Sequence, residues 1–189
     1  FDLAAAKPEF AVGEIDTMSV DGRFLYGAPA AGLSIEGEVN VRTTRDWARF
    51  PGFQFGLADE DSEEQGQVLP LEDLPMLDDQ GQASFNVSVD APPSTTRLLN
   101  AEVVVRMREG GGRAVERRTD IAIRPETNMI GIRLEGGNDS VPEGSTARFS
   151  VLAADAQGNR IDAPDLSWRL IKIDRDYQWY RSNGSWNYE

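Results

Sequence analysis

The side chains in this 189-residue sequence that could do chemistry are mainly carboxylates, because the chain contains no histidine and no cysteine. That composition excludes disulfides, thiolate nucleophiles and the commonest zinc ligand and general base. The densest acidic cluster runs from Asp59 to Glu64, and calcium prefers carboxylate oxygens as ligands. The cluster lacks the ordered D-x-D-x-D-G spacing with a distant glutamate, so a solvated loop is the favoured interpretation.

Two further patterns could indicate catalysis. Paired acids at Asp78–Asp79 and at Asp174 and Asp176 could serve glycoside hydrolysis, but nothing in the sequence fixes the separation that this reaction needs. The three glycines from Gly110 to Gly112 lack the GK[ST] sequence and the strand–loop–helix setting of a phosphate-binding loop, and they predict a turn. We therefore expect no enzyme active site, no cofactor and no metal site in this chain.

Aromatic side chains near the C-terminus are the candidates for binding. Three of the chain's four tryptophans lie between Trp168 and Tyr188. Because tryptophan and tyrosine give large contact areas, Trp179, Tyr180, Trp186 and Tyr188 could contact a sugar, a protein partner or a neighbouring domain. The alternative, which we favour, is that Trp168 fills a sandwich core and that the other aromatics pack on it or on strands outside this chain.

Charge limits the partners. The formal net charge is −13 and the sequence pI is about 4.5. An acidic surface repels nucleic acid and anionic lipid, so we expect neither nucleic-acid binding nor membrane contact by this segment. Apolar runs of about 20 residues, which a membrane-spanning helix needs, do not occur in the sequence.

Alternating apolar and polar residues predict the strands that would position these groups. The run from Leu33 to Val41 is apolar on one face and polar on the other, and a similar run extends from Met18 to Tyr26. Gly27, Pro29 and Gly32 lie between the two runs and predict a hairpin turn. Further strands are predicted at residues 2–6, 53–57, 83–89, 101–107 and 115–123, with a long loop at 58–82.

Seven short strands within the first ~125 residues predict an antiparallel β-sandwich. The pattern then restarts beyond Pro125, with a first strand at residues 130–134 and another strand predicted from Leu166 to Ile173. The spacing of Gly144 and Gly158 repeats that of Gly13 and Gly27, which is a weak internal repeat. Asn183–Gly184 predict a two-residue hairpin turn.

The predicted fold is therefore all-β, with two antiparallel sandwiches in tandem. We expect a complete domain at residues 1–125. Residues 126–189 are expected to form the N-terminal part of a second sandwich that is truncated after the hairpin, in a chain excised from a longer protein.

Three stretches resemble a known family. The sequences VDGRFLYGAPAAGLSIEGEV (residues 20–39) and FPGFQFGLADE (residues 50–60) resemble the macroglobulin-like domains of the bacterial alpha-2-macroglobulin family. The ending YQWYRSNGSWNYE (residues 177–189) is similar to a hairpin of the next macroglobulin domain in that family. The resemblance implies seven-stranded macroglobulin domains, which are similar to fibronectin type III domains.

The resemblance also implies a role. Members of this family are broad-spectrum protease inhibitors: a bait region is cut, and a thioester elsewhere in the protein captures the attacking endopeptidase. The thioester needs a Cys-x-Glu-Gln motif, which this chain cannot contain because it has no cysteine. The implied role is a non-catalytic scaffold whose partners are neighbouring macroglobulin domains and, through the parent protein, proteases. The implied location is the periplasm, where the parent would be a lipoprotein of the inner membrane with a function in bacterial defence.

A different class of function remains open at this point. Sandwich repeats also occur in bacterial adhesins and surface proteins, whose immunoglobulin-like domains bind ligands directly through exposed aromatics. An accessory module of a carbohydrate-active enzyme is a third possibility.

Overall fold

The computed structural model describes residues 1–60, 66–108, 112, 114–136, 140–172, 179–182 and 185–188, and within them the chain is all-β. The strands are β1 (Asp2–Ala5), β2 (Glu9–Phe10), β3 (Asp16–Asp21), β4 (Ile35–Thr44), β5 (Gln54–Phe55), β6 (Gln67–Leu71), β7 (Gln82–Val87), β8 (Leu98–Met107), β9 (Val115–Ile123), β10 (Met129–Leu134), β11 (Phe149–Ala154), β12 (Arg160–Ile161), β13 (Trp179–Ser182) and β14 (Ser185–Tyr188). Among the described residues, no helix is long and apolar enough to cross a membrane.

Two sheets form the first sandwich. One has the strand order β1-β3-β7, and the other has the order β2-β9-β8-β4-β6. The long antiparallel pairs β4–β8 and β8–β9 form the centre of the larger sheet, and β2 joins its edge in parallel with β9. Two further sheets follow, with the orders β12-β11-β10-β5 and β13-β14. The predicted all-β, antiparallel fold is confirmed, with β2–β9 as a short parallel pair that the sequence did not predict.

Apolar residues at alternate positions of the facing strands fill the space between the two sheets of the first sandwich. The core residues that are exposed by 2% or less are Phe10, Met18, Val20, Ala30, Val39, Val41, Val89, Ala101, Val103, Val105 and Ile121. Period-two alternation gives β4 one buried face, as the sequence predicts, whereas β8 is buried on both faces from Ala101 to Val105. Burying each of the larger side chains among them, those of valine, isoleucine, methionine and phenylalanine, stabilises the fold by roughly 1.5–3 kcal/mol relative to leaving it exposed.

The predicted hairpin at residues 18–41 is wrong. β3 ends at Asp21 and lies in the three-stranded sheet, whereas β4 lies in the five-stranded sheet, so the segment between them crosses from one sheet to the other. A tight turn interrupts the predicted run, because the Gly27 N–H donates to the Phe24 carbonyl at 2.8 Å and Gly27 has a φ of 91°. The Phe24 and Tyr26 rings stack at 5.3 Å, and Leu25 is fully exposed.

The predicted loop at residues 58–82 contains a strand. β6 pairs with β4 from Gly37↔Leu71 to Val41↔Gln67 and forms the edge of the five-stranded sheet. The sequence hides this strand because it is short and contains Pro70. A proline is tolerated at an edge, where an N–H on the outer side has no ladder partner to lose.

Two strands expected elsewhere also differ. The strand predicted at residues 53–57 is the two-residue β5, and it pairs with β10 rather than with the first sandwich. Residues 166–172 of the strand predicted at Leu166–Ile173 are not in a strand, and Ile173 lies outside the described residues. Trp168 is 88% exposed, so no core among the described residues covers it, and a core completed by strands outside this chain stays a prediction.

Substitution of two glycines can test how closely residues 22–34, the segment that crosses between the sheets, pack against the rest of the first sandwich. Gly81 has a φ of 78°, and a Cβ built there would lie 2.3 Å from the Gly22 carbonyl oxygen and 3.0 Å from the Ala30 nitrogen. Gly32 has a φ of 71°, but a Cβ there would meet no atom of the described part of the chain within 4 Å. We expect Gly32→Ala to lower the free energy of unfolding by about 1–2 kcal/mol for the left-handed backbone alone. Gly81→Ala should cost roughly 1–3 kcal/mol more, because backbone atoms must move apart.

Urea unfolding of the two variants, followed by circular dichroism, measures the difference. Equal losses in the two variants would contradict the close approach of Gly81 to the crossing segment.

Candidate functional site

The four aromatics predicted to contact a partner or a neighbouring domain lie on one hairpin. β13 and β14 pair antiparallel with the register Trp179↔Tyr188, Tyr180↔Asn187, Arg181↔Trp186 and Ser182↔Ser185. The predicted hairpin is therefore present, and its turn residues 183 and 184 lie outside the described residues. The side chains of the hairpin also lie outside what is described, so their role in contacts stays a prediction.

The acidic residues singled out in the sequence serve the local structure where they are described. Asp59 pairs with Arg169 at 3.2 Å, and the Glu60 carboxylate accepts hydrogen bonds from Thr95 and Thr96. Asp78 accepts hydrogen bonds from the backbone N–H groups of Gln80 and Gln82 and so closes the turn before β7. Across the part of the chain that the structure describes, no three acidic side chains converge as a cation site. The remaining acids of the 59–64 cluster, Asp174, Asp176, Gly110 and Gly111 lie outside that part.

A second cluster of buried apolar residues lies where the two halves of the chain meet, and we call it the joint. Its buried members come from the β4–β6 connection and β8 on one side and from β10 and β11 on the other: Phe50, Phe53, Phe55, Leu98, Met129, Leu152 and Ala154, with Trp47 packed against them. Residues 45–57 therefore leave the first sandwich, and their aromatic side chains pack against the sheet that contains β10 and β11.

Aromatic rings fill the joint. Trp47 lies edge-on to both Phe50 and Phe55, with ring centroids 5.3 Å apart in each case, and Phe50 lies 6.0 Å from Phe55. Phe55 itself is completely buried. Edge-to-face pairs of this kind contribute about 0.5–1.5 kcal/mol each beyond the area that they bury.

Backbone pairing continues the sheet through the joint. β5 aligns antiparallel with β10, with Gly131 opposite Phe55 and Ile132 opposite Gln54. On the other side the Phe55 N–H donates to the Arg45 carbonyl at 2.9 Å, and the Arg45 guanidinium donates back to the carbonyls of Phe55 and Gly56. The short strand β5 is thus bound by hydrogen bonds to both halves of the chain.

Sequence reasoning did not identify the joint as a site. Its signal was visible, because four aromatics fall within Trp47–Phe55, a density that a two-residue strand does not need for its own packing. What the sequence could not reveal is the partner, since the sheet that receives these rings begins more than 70 residues later, at Met129.

A second organised surface is the outer face of the five-stranded sheet, where alternating charges form one continuous network. The ion pairs are Glu38–Arg106 (3.0 Å), Arg106–Glu116 (2.8 Å), Glu116–Arg118 (2.7 Å), Arg118–Glu102 (3.6 Å) and Glu102–Arg42 (2.9 Å). Three arginines balance three glutamates, so this face is locally neutral in a strongly acidic chain. We call it the ionic ladder.

Hydrogen bonding perturbs the ionisation of the ladder. Donation from Arg118, and then from Arg106, holds the pKa of Glu116 below its ordinary value of 4.5. The Glu38 and Glu116 carboxylates raise the pKa of Arg106, and the Glu116 carboxylate raises that of Arg118. These groups are solvent-accessible, and pairs of this kind contribute modestly unless several charges act together, as they do here.

The ladder predicts a specific acid sensitivity. Because the pKa of Glu116 is lower in the folded state, its contribution to stability is present above pH 4.5 and is lost as the pH falls towards the folded-state pKa. We expect Glu116→Gln to destabilise the protein at neutral pH and to reduce the steepness of its acid-induced loss of stability. Urea unfolding at a series of pH values above and below 4.5 measures this. The exposed residue Glu126 lies outside the ladder, so Glu126→Gln is the matched control, and identical pH profiles for the two variants would contradict the prediction.

Comparison with known proteins places this chain in a family. The alpha-2-macroglobulin of Escherichia coli strain K12 is 34% identical over 178 residues, which are 85% of this chain and 10% of that protein. The alpha-2-macroglobulin of Xylella fastidiosa strain Temecula1 is 26% identical over 194 aligned positions, covering all of this chain and 11% of that protein. The chain therefore spans about a tenth of the length of the curated relatives that it matches.

Two solved structures are similar. The cryo-EM structure of the native conformation of E. coli alpha-2-macroglobulin matches all of this chain and 13% of its own, with a TM-score of 0.65 and 26% identity. The crystal structure of trypsin-activated alpha-2-macroglobulin from E. coli matches 83% of this chain and 12% of its own, with a TM-score of 0.59 and 30% identity.

Family models match both halves of the chain. Residues 1–125 match the bacterial alpha-2-macroglobulin MG5 domain, and residues 131–189 match bacterial macroglobulin domain 6. The chain belongs to the bacterial alpha-2-macroglobulin family.

Proposed function

We propose that this chain is a non-catalytic scaffold segment of a bacterial protease inhibitor that traps endopeptidases after they cut its bait region. The observation that carries the proposal is the match of both halves to consecutive macroglobulin domains of one family. The E. coli relative whose crystal structure is similar was solved in a trypsin-activated form, which supports proteases as the partners of the parent protein.

The geometry supports a mechanical task for the segment. The described carboxylates discussed above hold turns, loops and the ionic ladder, and the aromatic rings of residues 47–55 are used to join two sheets. A scaffold of this kind contributes fixed positions and directions rather than reacting groups. The thioester that would capture the protease must lie elsewhere in the parent, because this chain has no cysteine.

Neighbouring parts of the parent are the proposed contact partners of the segment. The face of the β10–β11 pair opposite the joint presents Ile130, Ile132, Phe149 and Val151, which are 41–52% exposed. A contiguous apolar surface of this kind favours contact with another folded element. The predicted contacts of Trp179, Tyr180, Trp186 and Tyr188 with neighbouring domains belong to the same proposal.

We further propose that the parent acts in the periplasm as a lipoprotein of the inner membrane and serves bacterial defence. The family resemblance supports this location, and fractionation of cells that express the full-length parent would test it. Recovery of the parent in the cytoplasmic fraction would contradict it.

Trapping has a distinct kinetic signature. A protease enclosed by the parent cannot reach a large protein substrate, whereas a short chromogenic peptide still diffuses to its active site. We therefore expect the full-length parent to abolish cleavage of a large protein by trypsin while most of the cleavage of the short peptide remains. The experiment mixes trypsin with increasing amounts of parent and follows both substrates.

The controls separate trapping from other outcomes. The isolated 189-residue chain should leave both activities unchanged, because it lacks the capturing group. Intact-mass measurement before and after methylamine, which opens internal thioesters, shows whether the parent uses covalent capture. Undiminished cleavage of the large substrate by trypsin would reject the inhibitor and favour the adhesin.

A further inference from the structure

The two halves of the chain are joined by more than a linker. The connection between β9 and β10 spans residues 124–128, and a joint made of these residues alone would let the halves pivot at Pro125. We propose that residues 1–125 and the sheet formed by β10, β11 and β12 are instead one rigid body, because β5 is a strand that the first half donates to the second. This inference goes beyond the proposed function and does not require that the parent traps proteases.

Strand donation removes the hinge by tying the backbone at a second point. β5 forms the edge of the β12-β11-β10-β5 sheet and adds the ladder pairs Gly131↔Phe55 and Ile132↔Gln54. The Phe55–Arg45 backbone bond and the Asp46↔Gln54 bridge hold β5 to the end of β4. The Leu57 N–H donates to the Thr96 hydroxyl at 2.9 Å and so ties the same segment to the residues before β8. Rotation about the linker would have to break these hydrogen bonds, and buried backbone groups that lose their partners are costly.

At three glycines, a side chain from the opposite half occupies the space that a Cβ would need, and we call these positions sockets. A Cβ at Gly131 would lie 2.7 Å from the Phe55 ring, and a Cβ at Gly158 would lie 2.4 Å from Cδ of Arg49. A Cβ at Gly52 would lie 3.2 Å from Cδ of Arg133. Because side chains enter sockets from both halves, the contact interlocks and resists sliding as well as rotation.

Charged groups close the rim of the joint. The Arg133 guanidinium lies 4.5 Å from the Phe53 ring centroid, and the Arg160 guanidinium lies 5.9 Å from that of Phe50. Glu9 of β2 pairs with Arg49 at 3.3 Å and with Arg124 of the linker at 3.6 Å. One carboxylate thus ties the first sandwich, the donated segment and the linker together.

Distance measurement between the halves tests the rigid body directly. The chain has no cysteine, so Ser84→Cys on β7 and Val151→Cys on β11 introduce two exposed strand positions for spin labels in an otherwise unmodified chain. Double electron–electron resonance should give a single narrow distance distribution between the two labels. A broad distribution in the unmodified joint would overturn the proposal.

Two joint variants and one matched control complete the test. Phe55→Ala empties the Gly131 socket, and Gly131→Ala fills it, so both should broaden or split the distance distribution. Gly66→Ala is the control, since a Cβ at Gly66 meets no atom of the described residues nearer than 4.0 Å. Hydrogen exchange of the β8 amides on the same samples shows whether the first sandwich stays folded.

The outcomes are distinguishable. Protected β8 amides together with a broadened distance distribution in the two joint variants support the proposal. A narrow distribution that survives both Phe55→Ala and Gly131→Ala overturns it, since the joint contacts would then not fix the angle between the halves. If Phe55→Ala also exposes the β8 amides, the milder Gly131→Ala variant decides.

Discussion

The seating of the Phe55 ring against Gly131 is the contact on which the arrangement of the two halves depends. A side chain on β10 at this position would hold the ring away, since a Cβ there falls 2.7 Å from two of its carbon atoms. With glycine in place, β5 can lie close enough to pair with β10, and Trp47 and Phe50 follow it into the cluster. The absence of one methyl group thus permits both the ladder pairing and the aromatic packing.

Apolar–polar alternation predicts which face of a strand is buried, but it does not predict which sheet the strand joins. The alternation of β4 and of residues 101–107 predicts one core face for each strand, and the core indeed contains Val39, Val41, Val103 and Val105. Val104 departs from the alternation and is buried on the other face of β8. The same reasoning failed for the 18–41 hairpin, because alternation does not say which sheet a strand joins. Asp21 and Ile35 lie fourteen positions apart yet end in facing sheets. The backbones of Gly22 and Gly81 come into close contact where the chain leaves the three-stranded sheet. A pattern read along the sequence does not reveal this contact, because the two residues are far apart in the chain.

Candidate sites were predictable to a different extent. The described acids contribute to local structure: Asp78 closes the turn before β7, and the Glu60 carboxylate accepts hydrogen bonds from Thr95 and Thr96. The hairpin that carries Trp179 and Trp186 was placed correctly by its Asn183–Gly184 turn signal. The joint could not be predicted from the aromatics of residues 47–55, because the residues that they pack against lie on β10 and β11, far away in the sequence. A tryptophan at position 168 is compatible both with a core that strands outside this chain complete and with a binding surface, because residue type does not show whether a covering layer is present.

The ionic ladder makes the outer face of the five-stranded sheet locally neutral in a strongly acidic chain. The ladder uses three of the nineteen basic residues to neutralise three glutamates, so the excess negative charge lies on the rest of the surface. Glu102 is only 9% exposed, yet it is held between Arg42 and Arg118 and accepts a hydrogen bond from Asn40. A buried carboxylate without such partners would strongly destabilise the sheet.

The ladder therefore stabilises the outer face of β8 by pairing charges, while the joint stabilises the opposite end of the same strand, at Leu98, by apolar packing. Strand β8 connects the two, so the stiffness of the first sandwich and that of the joint share one element.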